Sequence, residues 1–121
     1  RDVADILDRF SIIILKKENS PDVCSLEFNV YQEEIKRIKD LHHNIEIDRL
    51  LMFLKNINAR IWELESDVSQ GSLDNNIDEV GKRAILIRKF NSLRVEFKNI
   101  VNSLCNSGFE EVKINHLSQR V

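Results

Sequence analysis

Asn58 and Glu65 lie one heptad apart, in line with Leu51, and Trp62 follows Asn58 by one helical turn. Asn91 and Arg94 continue a stripe begun by Val80, Ala84 and Ile87. On helices this spacing sets amide, carboxylate and guanidinium groups beside apolar seams, where a polar group without a partner costs free energy. Such groups either meet each other, as a buried layer that fixes helix register, or meet a ligand. Near the C-terminus, Lys113, Asn115, His116, Ser118 and Arg120 crowd donors beside Val112, Ile114 and Leu117. Folded back over a bundle, these donors with Arg83 or Arg88 would grip a phosphate or carboxylate, although a frayed polar terminus is the simpler reading. The candidate ligand-binding set is therefore Asn58, Trp62, Glu65, Arg83, Arg88, Asn91, Lys113, Asn115 and His116, with Arg94 beside it.

Metal and catalytic signatures are thin. Asp5 and Asp8 share one side of the first helical segment and are the candidate carboxylates for a divalent ion, with Glu65 or Asp67 from another helix. The same residues read more simply as salt bridges on a solvated stripe. The paired ExxE and ExxD helices of all-α nucleoside triphosphate pyrophosphohydrolases are not met. Glu33 and Glu34 are followed at that spacing by Lys36 and Arg37, and Glu63 and Asp67 stand one residue too far apart. His42 and His43 point about 100° apart on a helix and chelate one ion poorly. No nucleophile elbow, P-loop or dinucleotide glycine pattern occurs, and no cofactor, resident metal or catalytic residue is expected.

The elements that must position these groups are helical. Val3, Ile6, Leu7, Phe10, Ile13 and Ile14 recur at helical spacing over residues 2–19, while Ile12 and Leu15 fall off that stripe. This helix is apolar on more than one side, so it either lies at the centre of a bundle or meets a second subunit. Ser20 and Pro21 read as an N-cap and first helical residue of a second helix, which buries Cys24, Phe28, Tyr31, Ile35 and Ile38 and breaks at residues 42–44. Leu50, Leu54, Ile57, Ile61, Leu64 and Val68 form a coiled-coil-type seam over residues 47–69. Leu86, Phe90, Leu93, Phe97, Ile100 and Leu104 form another over residues 77–106, where Gly108 and Phe109 read as a glycine stop. Residues 110–121 alternate briefly and suggest a short extended arm.

Composition bounds the rest. The chain of 121 residues is 42% apolar and 31% charged, with only three glycines and one proline, which fits one domain of long helices over residues 1–121. Its 18 basic and 20 acidic residues are interspersed to a net charge of −2, so no global field attracts nucleic acid or anionic lipid. Cys24 and Cys105 lie far apart without metal-type spacing and read as reduced thiols, which points to the cytoplasm. The apolar run at residues 12–15 is far short of the ~20 needed to span a bilayer, and no basic leader with a cleavage site precedes it.

Several short pieces together resemble a family of small helical proteins of unknown function found in bacteria, bacteriophages and large DNA viruses. They are Asp8, Arg9, Phe10, Ser11 and Ile12 with Leu15, Lys16 and Glu18; Ile57 and Asn58 with Ile61, Trp62, Glu63, Leu64 and Glu65; Gly81, Lys82, Arg83 and Ala84 with Ile87, Arg88 and Asn91; and Gly108 and Phe109 with Lys113, Asn115 and His116. The resemblance skips residues 20–46. It implies a cytosolic helical protein and brings no activity or catalytic assignment. Abundant Ile, Asn and Lys with no Thr also fits a phage-like source.

The sequence thus predicts an all-α antiparallel bundle of three to four helices with a short extended C-terminal arm. The expected function is that of a non-enzymatic, homo-oligomeric binding module. It works either through protein contacts or by sequestering a small anionic, nucleotide-like ligand. The alternative is a metal-dependent enzyme resembling the all-α nucleotide pyrophosphohydrolases, built on Asp5, Asp8, Glu65 and Asp67.

Overall fold

Asp2 starts the first helix by accepting, through Oδ1, the Asp5 backbone N–H at 2.7 Å, so a carboxylate caps the positive end of the dipole. A computed structural model describes residues 2–69, 71 and 75–118, with the side chains of residues 69 and 107–118 outside that description. Within it the elements are α1 (Val3–Asn19), α2 (Ser25–Leu41), α3 (Ile47–Ser69) and α4 (Ile77–Ser118), an all-helical bundle with no strand among the described residues.

The helices alternate in direction. Phe10 meets Phe28 with ring centroids 5.3 Å apart, which runs α2 back along α1. Asn58 reaches Asp8 from α3, while α4 returns antiparallel, with Phe97 stacked on Phe53 and Asn102 near the start of α1. Helix α1 packs against all three others. Its apolar circumference is therefore explained inside one chain, since Ala4, Leu7 and Ile13 are almost fully covered and Ile6, Phe10 and Leu15 nearly so. Of the two sequence readings for this helix, the central position is the one observed, and the oligomer expectation loses that support.

Three sequence expectations are corrected. Ser20 and Pro21 do not open α2. The Ser20 N–H donates to the Lys16 carbonyl at 2.8 Å and closes α1, residues 21–24 form a turn, and Cys24 at φ 58° breaks any helical run into Ser25. A left-handed conformation is costly for a side chain with a Cβ, and Lys17 Nζ steadies this turn by donating to the Pro21 carbonyl at 2.7 Å. Second, α4 continues past residue 106 to Ser118, through the glycine expected to stop it. The arm expected at residues 110–121 falls largely outside the described side chains and termini.

The third correction concerns the seams. On α3 the seam faces inward as expected, with Leu54, Ile57, Ile61 and Leu64 buried. On α4 it does not: among the described residues of this helix Val101 and Cys105 are the buried apolar ones, while Leu86, Leu93, Ile100 and Leu104 stay partly open to solvent. The inward face of α4 carries Arg94, Lys98 and Asn102, each bonded to α1 or α3. Polar anchoring, rather than the apolar repeat, sets the rotation of this helix.

Burial pushes the Cys105 thiol above its ordinary range, whereas Cys24 sits in a half-exposed turn. In the native protein at neutral pH, a thiol-titrating disulfide reagent is expected to label Cys24 and leave Cys105 protected until denaturant is added. Rapid native labelling of both thiols would contradict the packing of α4.

Candidate functional site: a polar layer and the cleft above it

Asp8, Ser11 and Asn58 are the buried polar residues among those described, and they touch one another. The Asn58 amide donates to Asp8 Oδ1 at 2.8 Å and to Ser11 Oγ at 2.8 Å, while its carbonyl oxygen accepts from Arg94 at 3.3 Å. Both amide hydrogens and the amide oxygen are thus used, which fixes the orientation of the side chain. Ser11 in turn donates to the Asp8 backbone carbonyl at 2.6 Å. Lys98 on α4 supplies the balancing charge, with Nζ 2.8 Å from Asp5 Oδ1 and 3.6 Å from Asp8 Oδ2.

One turn further along α4, the Asn102 side-chain oxygen accepts the Ala4 backbone N–H at 3.0 Å. That N–H belongs to the first turn of α1 and has no partner within its own helix. Asp5, Asp8 and the N-terminal turn of α1 are consequently held by one face of α4. The hydrogen bond to Asp5 is the largest influence on Lys98 and, with the Asp8 and Asp5 charges, raises its pKa above the ordinary lysine value, against desolvation and the Arg94 charge.

Beside this layer opens a cleft of about 210 Å³ between α1, α3 and α4. Its polar border is made of Lys16, Asn58, Glu65 and Arg94, and Trp62 supplies an aromatic wall that is 39% exposed. Arg94 Nε is buried without a hydrogen-bond partner among the described residues. Lys16 and Glu65 are exposed, so the cleft presents two cations and one carboxylate around an aromatic face.

The residues singled out in the sequence separate into distinct places. Asn58, Trp62, Glu65 and Arg94 converge on the cleft. Arg83 is engaged elsewhere, 2.7 Å from Asp67 and 3.4 Å from Glu79. Arg88 and Asn91 line a shallow depression on another flank of α4. Lys113, Asn115 and His116 lie where side chains are outside the description. The metal candidates Asp5 and Asp8 border a depression of about 320 Å³ with Arg9 and Tyr31. They share the Lys98 ammonium, and among the described residues no group of three His, Cys, Asp or Glu side chains could hold a metal ion.

Sequence reasoning missed Ser11, Lys98 and Asn102 as members of the layer, and it read Asp8 as a metal-ligand candidate or a salt-bridge residue rather than as a buried partner of Asn58. A signal was present in the spacing of Arg94, Lys98, Val101 and Cys105, which marks a second face of the same helix. No protein-family model, curated protein or solved structure matches this chain.

Because the pKa of Lys98 is raised on folding, its stabilisation is complete below the unfolded value of ~10.4 and is lost as pH climbs through the folded value. The stability gap between the wild type and Lys98→Met, measured by urea unfolding, is expected to hold constant from pH 7 to 9 and to narrow above about pH 10.5. A gap unchanged at pH 11 would contradict the Lys98 ion pairs.

Proposed function

We propose that this protein is a non-enzymatic binding module whose cleft between α1, α3 and α4 holds the charged end of a small organic anion. The observation that carries this reading is Arg94. Arg94 borders the cleft with Lys16 and Trp62, and its Nε is buried with no acceptor among the described residues. A carboxylate or phosphate oxygen in the cleft would meet this guanidinium, whose planar, fixed donors suit such groups, and a turn of the side chain would bring the unsatisfied Nε to it. Lys16 adds a second positive charge, and a flat apolar body would lie on the Trp62 ring. Glu65 opposite the cations would accept from a hydroxyl or amine on the ligand.

Volume limits the ligand. A cleft of about 210 Å³ is smaller than the ~300–1,000 Å³ of sites that enclose drug-sized molecules. A nucleotide would seat its phosphate inside and leave the base outside, against Trp62; a small aromatic acid would fit more completely. In this reading the protein acts in the cytoplasm as a homo-oligomer and needs neither metal nor cofactor.

Trp62 is the sole tryptophan and borders this cleft, so its fluorescence responds to a ligand there, and the Lys16 and Arg94 variants separate that response from binding in the neighbouring depression lined by Glu18, Asn19 and Ser66. Benzoate, inorganic phosphate and a nucleoside monophosphate are the probes, each titrated against a sodium chloride control of equal ionic strength. At least one should produce a saturable change, weakened about tenfold or more in Lys16→Met, as loss of one charge-assisted contact implies. Arg94→Met should abolish the response. A response matched by chloride, or one indifferent to Lys16→Met, would overturn the proposal.

A further inference from the structure

We infer that a second copy of this chain packs on the outer face of the α3–α4 hairpin, with the two α4 helices antiparallel. Leu86, Phe90, Leu93, Phe97, Ile100 and Leu104 step by four and three residues along α4, the spacing of a helix that meets another helix. That seam lies roughly a quarter turn around α4 from the face that Arg94, Lys98 and Cys105 direct at α1 and α3. Its central Phe97 stacks on Phe53 of α3, with centroids 4.3 Å apart, so both helices contribute to one apolar strip. Leu93 is 39% exposed, Phe53 44% and Ile100 53%, so each leaves a large share of its surface open among the described residues.

The size of the strip points to a second copy. Taking ~200 Å² for a large free apolar side chain, Leu86, Leu93, Ile100, Leu104 and Phe53 leave roughly 400 Å² open, near the largest apolar patch usual on a monomer. A stable interface takes ~800 Å² from each partner, of which about 57–65% is apolar. The strip supplies most of that apolar requirement, and the seam carries no charged residue from Leu86 to Leu104. Because the area falls at the lower end of the range, the dimer should form at micromolar rather than nanomolar concentration.

A two-fold interface must be self-complementary, and this seam is. About an axis between Leu93 and Phe97, an antiparallel pairing sets Leu93 against Phe97 of the partner subunit, Phe90 against Ile100 of the partner subunit and Leu86 against Leu104 of the partner subunit. Every layer is then apolar, and the two hairpins form a four-helix interface of α3 and α4 from each copy. The cleft bordered by Arg94 lies about a quarter turn around α4 from this seam, on the flank that faces α1.

Sedimentation velocity from 5 to 500 μM, followed by the Leu93→Glu variant, tests the inference. The wild type should shift from monomer to dimer across this range. Leu93→Glu should remain monomeric at 500 μM with unchanged helical circular dichroism, because the residue is exposed in the monomer. Ile100→Lys serves the same purpose if Leu93→Glu fails to fold, and Leu26→Glu, on the exposed face of α2, should dimerise like the wild type. A wild type still monomeric at 500 μM would overturn the inference. So would a dimer that survives both strip substitutions or is lost in Leu26→Glu, since either places the contact elsewhere.

Discussion

A carboxylate buried in a helical bundle must be neutralised and hydrogen-bonded, and Asp8 imposes that demand on every helix around α1 except α2. Removing one partner of a buried charged group typically costs about 3–5 kcal/mol, because the remaining charge is left without compensation. Asn58 and Lys98 meet the demand from α3 and α4. Ser11 completes the layer from α1 itself, joined to both Asn58 and the Asp8 carbonyl.

The rotation of α4 follows from this requirement. Two faces of that helix compete for the interior: the apolar seam from Leu86 to Leu104, and the stripe through Arg94, Lys98, Val101 and Cys105. Only the second can answer Asp5, Asp8, Asn58 and the free N–H of Ala4 together. The stripe also keeps Val101 and Cys105 in the core, which recovers part of the apolar burial lost by turning the seam outward. The seam is left facing outward, where each residue is worth about 1.5–3 kcal/mol if fully covered. Register inside the bundle and stickiness outside it thus have one origin, and the cleft is a third consequence. Arg94 is tied to Asn58 through its terminal nitrogen, while its Nε stays buried without an acceptor among the described residues, in a side chain that borders the cleft.

Much of this fold was legible because its strongest signals are local. The extents of α1 and α3, the break at His42 and the inward seam of α3 follow from periodicity and flanking residues. Ser20 and Pro21 misled because either order of events, closing α1 or opening α2, satisfies the same residue preferences; only the left-handed Cys24 decides between them. The seam of α4 misled for a different reason. Its periodicity is as regular as that of α3, but apolar spacing ranks faces by transfer free energy and is blind to the charge demands of another helix. Asn58 and Arg94 were recognised as polar groups beside apolar seams, whereas Asp8 was read as a metal-ligand or salt-bridge carboxylate and not as a buried one, since a carboxylate on an N-terminal turn is ordinarily solvated. Its burial arises only when α1 becomes central.

The central claim is that the Asp8–Asn58 contact holds α1 in register against the α3–α4 hairpin. A double-mutant cycle of Asp8→Ala, Asn58→Ala and the double variant, followed by urea unfolding at neutral pH, measures that contact directly. The expected coupling energy is about 1.5–3 kcal/mol, the range for a hydrogen bond to a charged group. Single-variant effects that add to within about 0.5 kcal/mol would mean that the two side chains act independently, and would contradict the account.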